Sequence, residues 1–137
     1  MNSKFFVPFE TEDKDMKHKP IPKNIRQLVY AKYDGHCAYC GCKLEPKDMQ
    51  VDHAKSVFLS SYENGGEICQ NDSIENLMPA CRQCNFYKNE TDIEGFRDRI
   101  RTWLEKTCRQ SFQVRLAMKH GILEYHPWDG KFWFEKQ

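Results

Sequence analysis

The sequence predicts an α+β fold built around a strand–loop–strand–helix unit, and three observations point to it. Two Cys-x-x-Cys pairs, Cys37/Cys40 and Cys81/Cys84, stand 40 residues apart. That interval holds two short strand-like runs, Met49-Gln50-Val51-Asp52-His53 and Leu77-Met78-Pro79, on either side of a polar insert. Outside the unit, apolar residues recur at helical spacing on both sides.

Taken in order, residues 1–20 are polar and mixed in charge after Phe9, which predicts an N-terminal arm ahead of a domain over 21–137. From Pro22 to Asp34, Ile25, Leu28, Val29 and Tyr33 follow helical spacing and Gly35 is a stop, which predicts an N-terminal helix. The insert between His53 and Asn76 is 22 residues long and carries Gly65-Gly66 with several Asn, Asp and Ser, the composition of a loop. Thr91-Asp92-Ile93-Glu94 reads as a capping box opening a long C-terminal helix, with Ile93, Phe96, Ile100, Trp103 and Leu104 on one face. A break is expected between Thr107 and Ser111, with the helix resuming to Lys119 and Gly121 ending it. Asp129-Gly130 lies between aromatic runs and predicts a C-terminal β-hairpin ending in Phe132-Trp133-Phe134, although Pro127 weakens one strand.

The cysteines set the chemistry. Cys37, Cys40, Cys81 and Cys84 supply four thiolates, which close a tetrahedral Zn²⁺ shell with no open position. Gly41, directly after Cys40, suits the left-handed backbone of such a knuckle. The rival is a disulfide framework. Seven cysteines is an odd number, and the run Met1 to Phe9 reaches Pro8 and then Glu10 before any apolar region develops. An intracellular, cytoplasmic chain is therefore expected, where paired Cys-x-x-Cys spacing favours metal. Cys42, Cys69 and Cys108 are left over and read as small apolar side chains or spare thiols, with Cys42 close to the first knuckle.

Composition adds bounds. A chain of 137 residues is one domain, and its core is small enough for a metal to matter to its stability. No apolar run is long enough to span a membrane, and there is no internal repeat. The net charge of +1 does not announce a nucleic-acid binder, but its distribution is uneven. Residues 1–81 carry 10 Lys/Arg against 12 Asp/Glu, whereas residues 82–119 carry 9 against 5. A solvated helix face explains that excess almost as well as a polyanion partner does.

Order and spacing together carry a resemblance. The stretches Cys37-Ala38-Tyr39-Cys40-Gly41, Val51-Asp52-His53, Gly65-Gly66, Asn76-Leu77-Met78-Pro79 and Cys81-Arg82-Gln83-Cys84-Asn85, with Lys88 beyond, resemble the zinc-containing HNH endonuclease family over about residues 37–88. The Phe96-Arg97 helix and the aromatic C-terminus are similar to its small bacterial and phage members. The resemblance implies a ββα-metal, or His-Me, finger in the His-Asn-Asn variant, acting on DNA and leaving 5′-phosphate and 3′-hydroxyl ends.

The implied roles each have a chemical reason. His53 is the general base for the attacking water, since an imidazole near its ordinary pKa of ~6.5 is half-poised at neutral pH. Asn76 joins it in the catalytic set by holding the loop and orienting the histidine. Asp52 and Asn85 offer a carboxylate and an amide oxygen to a hard cation, Mg²⁺ or Mn²⁺. Arg82 and Lys88 are the expected DNA phosphate contacts.

Plainer readings stand beside these. An Asp-His pair can be a surface strand end, and Asn76 a turn residue. Asn85 can be present only because asparagine tolerates a left-handed backbone after a knuckle, and Lys88 can be a solvated helix charge. The functional alternative is a non-catalytic zinc module that binds nucleic acid or protein. Two departures from the family pattern affect the loop. Many members place a proline three residues after the Asp-His pair, where this chain has Ser56, and the 22-residue insert is long and contains Cys69.

Overall fold

The computed structural model describes residues 19–67 and 69–137. Its elements are α1 (Lys23–Ala31), β1 (Gln50–His53), α2 (Val57–Glu63), β2 (Leu77–Ala80), α3 (Arg82–Lys88) and α4 (Ile93–Asp98). A π-helical turn (Arg99–Leu104), α5 (Glu105–Gln110), α6 (Phe112–Lys119) and a 3₁₀ turn (Trp133–Lys136) follow. Helices and a small sheet are mixed, as expected. The predicted arm over 1–20 lies outside the described residues, apart from Lys19 and Pro20.

The two strands pair antiparallel with Gln50 opposite Ala80 and His53 opposite Leu77, so Asp52 faces Met78 across the ladder. β2 is buried along its whole length, which is why its residues are apolar without alternation. Behind the sheet the core gathers on Tyr39. Its ring meets Phe96 edge-on at 5.2 Å and Phe132 at 5.3 Å, while Phe96 and Phe132 stack at 5.0 Å. Val29, Leu44, Met49, Leu77 and Met78 complete the packing. Such aromatic pairs add roughly 0.5–1.5 kcal/mol each beyond their burial.

Several expectations need correction. The insert is not all loop, because Val57–Glu63 form α2. Its cap is Ser56, whose Oγ accepts the Leu59 N–H at 3.1 Å and donates to the Glu90 carbonyl at 2.7 Å. One hydroxyl therefore starts the helix and ties it to the chain beyond α3, a role that a proline at this position could not fill.

The capping residue of α4 is Asp92, which accepts the Gly95 N–H at 2.7 Å, and not Thr91, whose hydroxyl donates to the Lys88 carbonyl. α4, the π-helical turn and α5 run on to Gln110, and the expected break falls at Ser111, which caps α6. The apolar face predicted for this helix is buried only at its start. Phe96 is buried, but Trp103 and Leu104 are exposed. The Glu105 N–H reaches back five residues to the Ile100 carbonyl, and this wider turn rotates the later side chains off the stripe.

The predicted C-terminal β-hairpin is not formed. The Trp133 and Phe134 N–H groups donate to the carbonyls of Tyr39 and Ala38, at 3.0 and 2.8 Å. The donors a hairpin would need are taken by the first knuckle, and the chain turns into a 3₁₀ helix. Gly130, at φ 81°, lies against the Arg101 guanidinium, which would overlap any Cβ there. Leu28 of α1, placed on the apolar face from its spacing, is also exposed.

Candidate functional site

The first knuckle is a tight loop closed by Cys37 N–H to the Cys42 carbonyl at 2.8 Å and Gly41 N–H to the Cys37 carbonyl at 2.9 Å. Gly41 adopts φ +75°, and an added Cβ would fall 2.2 Å from the Trp133 ring. Only glycine satisfies both the backbone and the docked indole. The second knuckle enters α3 directly: Cys81 is its N-cap, and the Cys81 Sγ accepts the Cys84 N–H at 3.4 Å.

The two knuckles bring the Sγ atoms of Cys37, Cys40, Cys81 and Cys84 within 4.8 Å of one another. Zn–S bonds of about 2.3 Å in a tetrahedron require sulfurs about 3.8 Å apart. Cys40 and Cys81 stand at 3.9 Å. The donor set fits zinc in number, softness and spacing. Proton sharing among the thiols is uneven. The hydrogen bond from Cys84 helps to push Cys37 down to about 4, and the same contact pushes Cys84 up. Burial pushes Cys40 up and Cys42 up to about 12. Cys42 is exposed and stands outside the four-sulfur cluster.

Beside the four-sulfur cluster β1 and α3 form one wall of an open cleft of about 460 Å³, and Asp52, His53 and Asn85 all line it. β1 delivers Asp52 and His53 in succession, while Asn85 projects from the middle of α3. Its backbone is helical, since the positive φ in this region belongs to Asn89. The left-handed explanation of Asn85 therefore does not apply. Arg82 is exposed at the start of α3.

Asn76 lies at the head of β2 and clamps the chain just past His53. Its Oδ1 accepts the Lys55 N–H at 2.9 Å, and its Nδ2 donates to the carbonyls of Lys55 at 3.2 Å and Asn71 at 2.9 Å. It holds both ends of the insert through backbone and does not touch the His53 ring.

Lys88 departs most from the sequence reading. It is neither a phosphate contact nor a solvated charge, because its side chain is fully buried. The ammonium donates to the His53 carbonyl at 2.8 Å and lies 3.1 and 3.3 Å from the two oxygens of Asp52. The Tyr39 hydroxyl donates to the same carboxylate. Burial pushes the Asp52 carboxyl up from its ordinary range, opposed by Lys88 and by the tyrosine bond, and burial likewise pushes the Tyr39 hydroxyl up. A carboxylate offers about four acceptor sites. Three are engaged here, which leaves one for a cation if Lys88 stays in place.

Sequence reasoning also missed the partner of His53. The His53 Nε2 lies 2.8 Å from the Asp72 Oδ1, and the Gln70 amide donates to both oxygens of that carboxylate at 3.1 and 3.0 Å. Lys88 was singled out in the sequence, but its inward role beside Asp52 was not. Nothing local in the polar insert singles out Asp72.

Residues 37–91 match the family model described as HNH endonuclease. A solved structure described as the Type II-C Cas9 enzyme from Actinomyces naeslundii is similar at 17% identity and a TM-score of 0.41. The likeness covers 76% of this chain and 11% of that one, so this chain spans a small part of the larger protein's length. No curated protein matches the chain.

Proposed function

With residues 37–91 matching the family model described as HNH endonuclease, we propose that the chain is a metal-dependent endonuclease that hydrolyses DNA phosphodiesters. The observation that carries this reading is the shared cleft: Asp52, His53 and Asn85 line one opening beside the four-sulfur cluster. His53 takes a proton from a water, whose oxygen forms a bond to phosphorus. The bond from phosphorus to the 3′ oxygen breaks, and that oxygen takes a proton from solvent. The products carry 5′-phosphate and 3′-hydroxyl ends. Asp52 and Asn85 would hold one hard cation, Mg²⁺ or Mn²⁺, by their oxygens. Such an ion, when bound, stabilises the charge that develops on the phosphoryl and departing oxygens. Asn76 keeps the loop after His53 in place, and Arg82 contacts a DNA phosphate. The zinc held by Cys37, Cys40, Cys81 and Cys84 is structural.

One observation favours the second reading, a non-catalytic zinc module. Asp52 is paired internally with Lys88 and Tyr39, and His53 with Asp72. The two readings part on one assay. Supercoiled plasmid is incubated with the zinc-loaded protein and Mg²⁺ or Mn²⁺, with and without chelation, beside His53→Ala. Nicking that requires the cation and falls by roughly 10²–10⁴-fold in the variant is expected of a lost general base. Zinc content and melting should not change. Cleavage by His53→Ala within a few-fold of the wild type would remove His53 from the mechanism.

A further inference from the structure

The contact between His53 and Asp72 is built from both sides. Asp72 sits on a turn whose neighbours are pinned: the Asn71 carbonyl accepts from Asn76 Nδ2 at 2.9 Å, and the Asn71 Oδ1 accepts the Ser73 N–H at 3.0 Å. The Ser73 carbonyl takes the N–H groups of Asn76 and Leu77 at 3.0 and 3.1 Å. From the other side Gln70 grips both carboxylate oxygens, and its own amide exchanges two hydrogen bonds with the Lys19 backbone, at 2.9 and 3.0 Å. The histidine side chain is only 14% exposed. A solvated ion pair between two free side chains has none of this support.

The chemistry of the pair fixes a proton. A carboxylate only accepts, so a hydrogen bond between Nε2 and Asp72 places the imidazole hydrogen on Nε2. Nδ1 then carries the lone pair and makes no hydrogen bond among the described residues. We propose that Asp72, held by Gln70, is the positioning residue for His53, fixing its ring and its Nε2–H tautomer so that Nδ1 is the nitrogen that accepts the proton of the attacking water. This rests on the reading of His53 as the base. It makes the polar insert part of the active centre, because its last turn supplies the group that sets the histidine.

The test reads the ring and the reaction separately. In ¹⁵N-labelled, zinc-loaded protein at pH about 8.5, well above the ordinary imidazole value of ~6.5, two-bond proton–nitrogen spectra identify each histidine tautomer. His53→Ala assigns the signal. The wild type should show His53 as Nε2–H, and Asp72→Ala should show a mixture with Nδ1–H. Asp72→Asn, whose amide oxygen still accepts, should keep Nε2–H. On a duplex oligonucleotide with Mg²⁺, kcat should fall by about 10–100-fold in Asp72→Ala. KM and the Mg²⁺ concentration for half-activity should stay within about two-fold, and Asp72→Asn should recover most of the rate.

A wild-type Nδ1–H tautomer, or a ring unmoved by Asp72→Ala, overturns the proposal. So does an Asp72→Ala enzyme whose defect is a raised Mg²⁺ requirement, which would make Asp72 a cation ligand instead. If the wild type does not cut at all, the base reading ends, and the tautomer alone decides whether Asp72 sets the ring.

Discussion

Asn85 spends a poor helix former in the middle of α3, at a cost of up to about 0.7 kcal/mol against alanine, and its backbone gives no structural reason for it. Asn85→Ala should therefore leave melting unchanged or slightly raised and zinc content intact, while raising the Mg²⁺ concentration for half-activity about tenfold or more. Loss of zinc with unchanged specific activity in the folded fraction would return Asn85 to the knuckle. Lys88 makes the opposite prediction. Breaking a buried ion pair costs about 3–5 kcal/mol, so Lys88→Met should lower the urea midpoint sharply, and pairing it with Asp52→Asn should restore much of the loss. A Lys88→Met protein as stable as wild type would mean that the pair contributes nothing to the fold. Asp52, His53 and Asn85 were legible because each lies inside a short motif with a fixed offset. Tyr39 and Asp72, 13 and 19 residues from their partners, were not, since a contact made by folding leaves no local periodicity.

Helix capping shows where element-level reading stops. Ser56 lies just past the Asp-His pair, and its capping power went unread because the helix it opens is only seven residues long. Ser56→Ala removes the cap and the bond to Glu90 together and should cost about 1–2 kcal/mol, measured as a lowered denaturation midpoint with zinc retained. A fall under about 0.3 kcal/mol would show that α2 holds without it. The C-terminal segment hangs on Arg97, which pairs with Glu94 at 3.0 Å and Glu135 at 2.7 Å, donates to the Gly130 carbonyl and stacks on Phe132. That arginine holds Glu135 below its ordinary value of 4.5. A carboxylate depressed in the folded state stabilises fully above its unfolded pKa and loses that stabilisation as pH falls through the folded one. Protection factors at the Trp133 and Phe134 amides, corrected for the intrinsic pH dependence of exchange, should thus fall below about pH 4.5 in the wild type. Arg97→Leu should show fast exchange already at neutral pH, and amides still protected in the variant would mean that aromatic packing alone secures the segment. Aromatic richness made this end of the chain look like two strands. Its real partner, the carbonyl edge of the first knuckle, lies far back in the sequence.

At the scale of the molecule, a zinc held by the four cysteines would join what the short strands cannot. Four-thiolate binding is worth an apparent ~10–16 kcal/mol in small zinc peptides, as much as the whole stability of an ordinary domain, about 5–15 kcal/mol. Cys81 is also the N-cap of α3, the helix that carries Asn85 and Lys88. Cys81→Ser should therefore lose zinc, cleavage and most of its melting transition together, whereas His53→Ala loses cleavage alone. A Cys81→Ser protein that melts like wild type and still cuts would show that the thiolates are not what secures the fold. The docking of Trp133 and Phe134 onto Tyr39 and Ala38 also puts the molecule on a clock. All four metal ligands have been made by residue 84, yet Phe132, which stacks on Phe96 at the heart of the core, is made dozens of residues later. At about 5–20 residues per second, the ribosome holds the nascent chain for seconds with its thiolates complete and its core open. Closure of the core around Tyr39 thus waits on residues made well after the four cysteines.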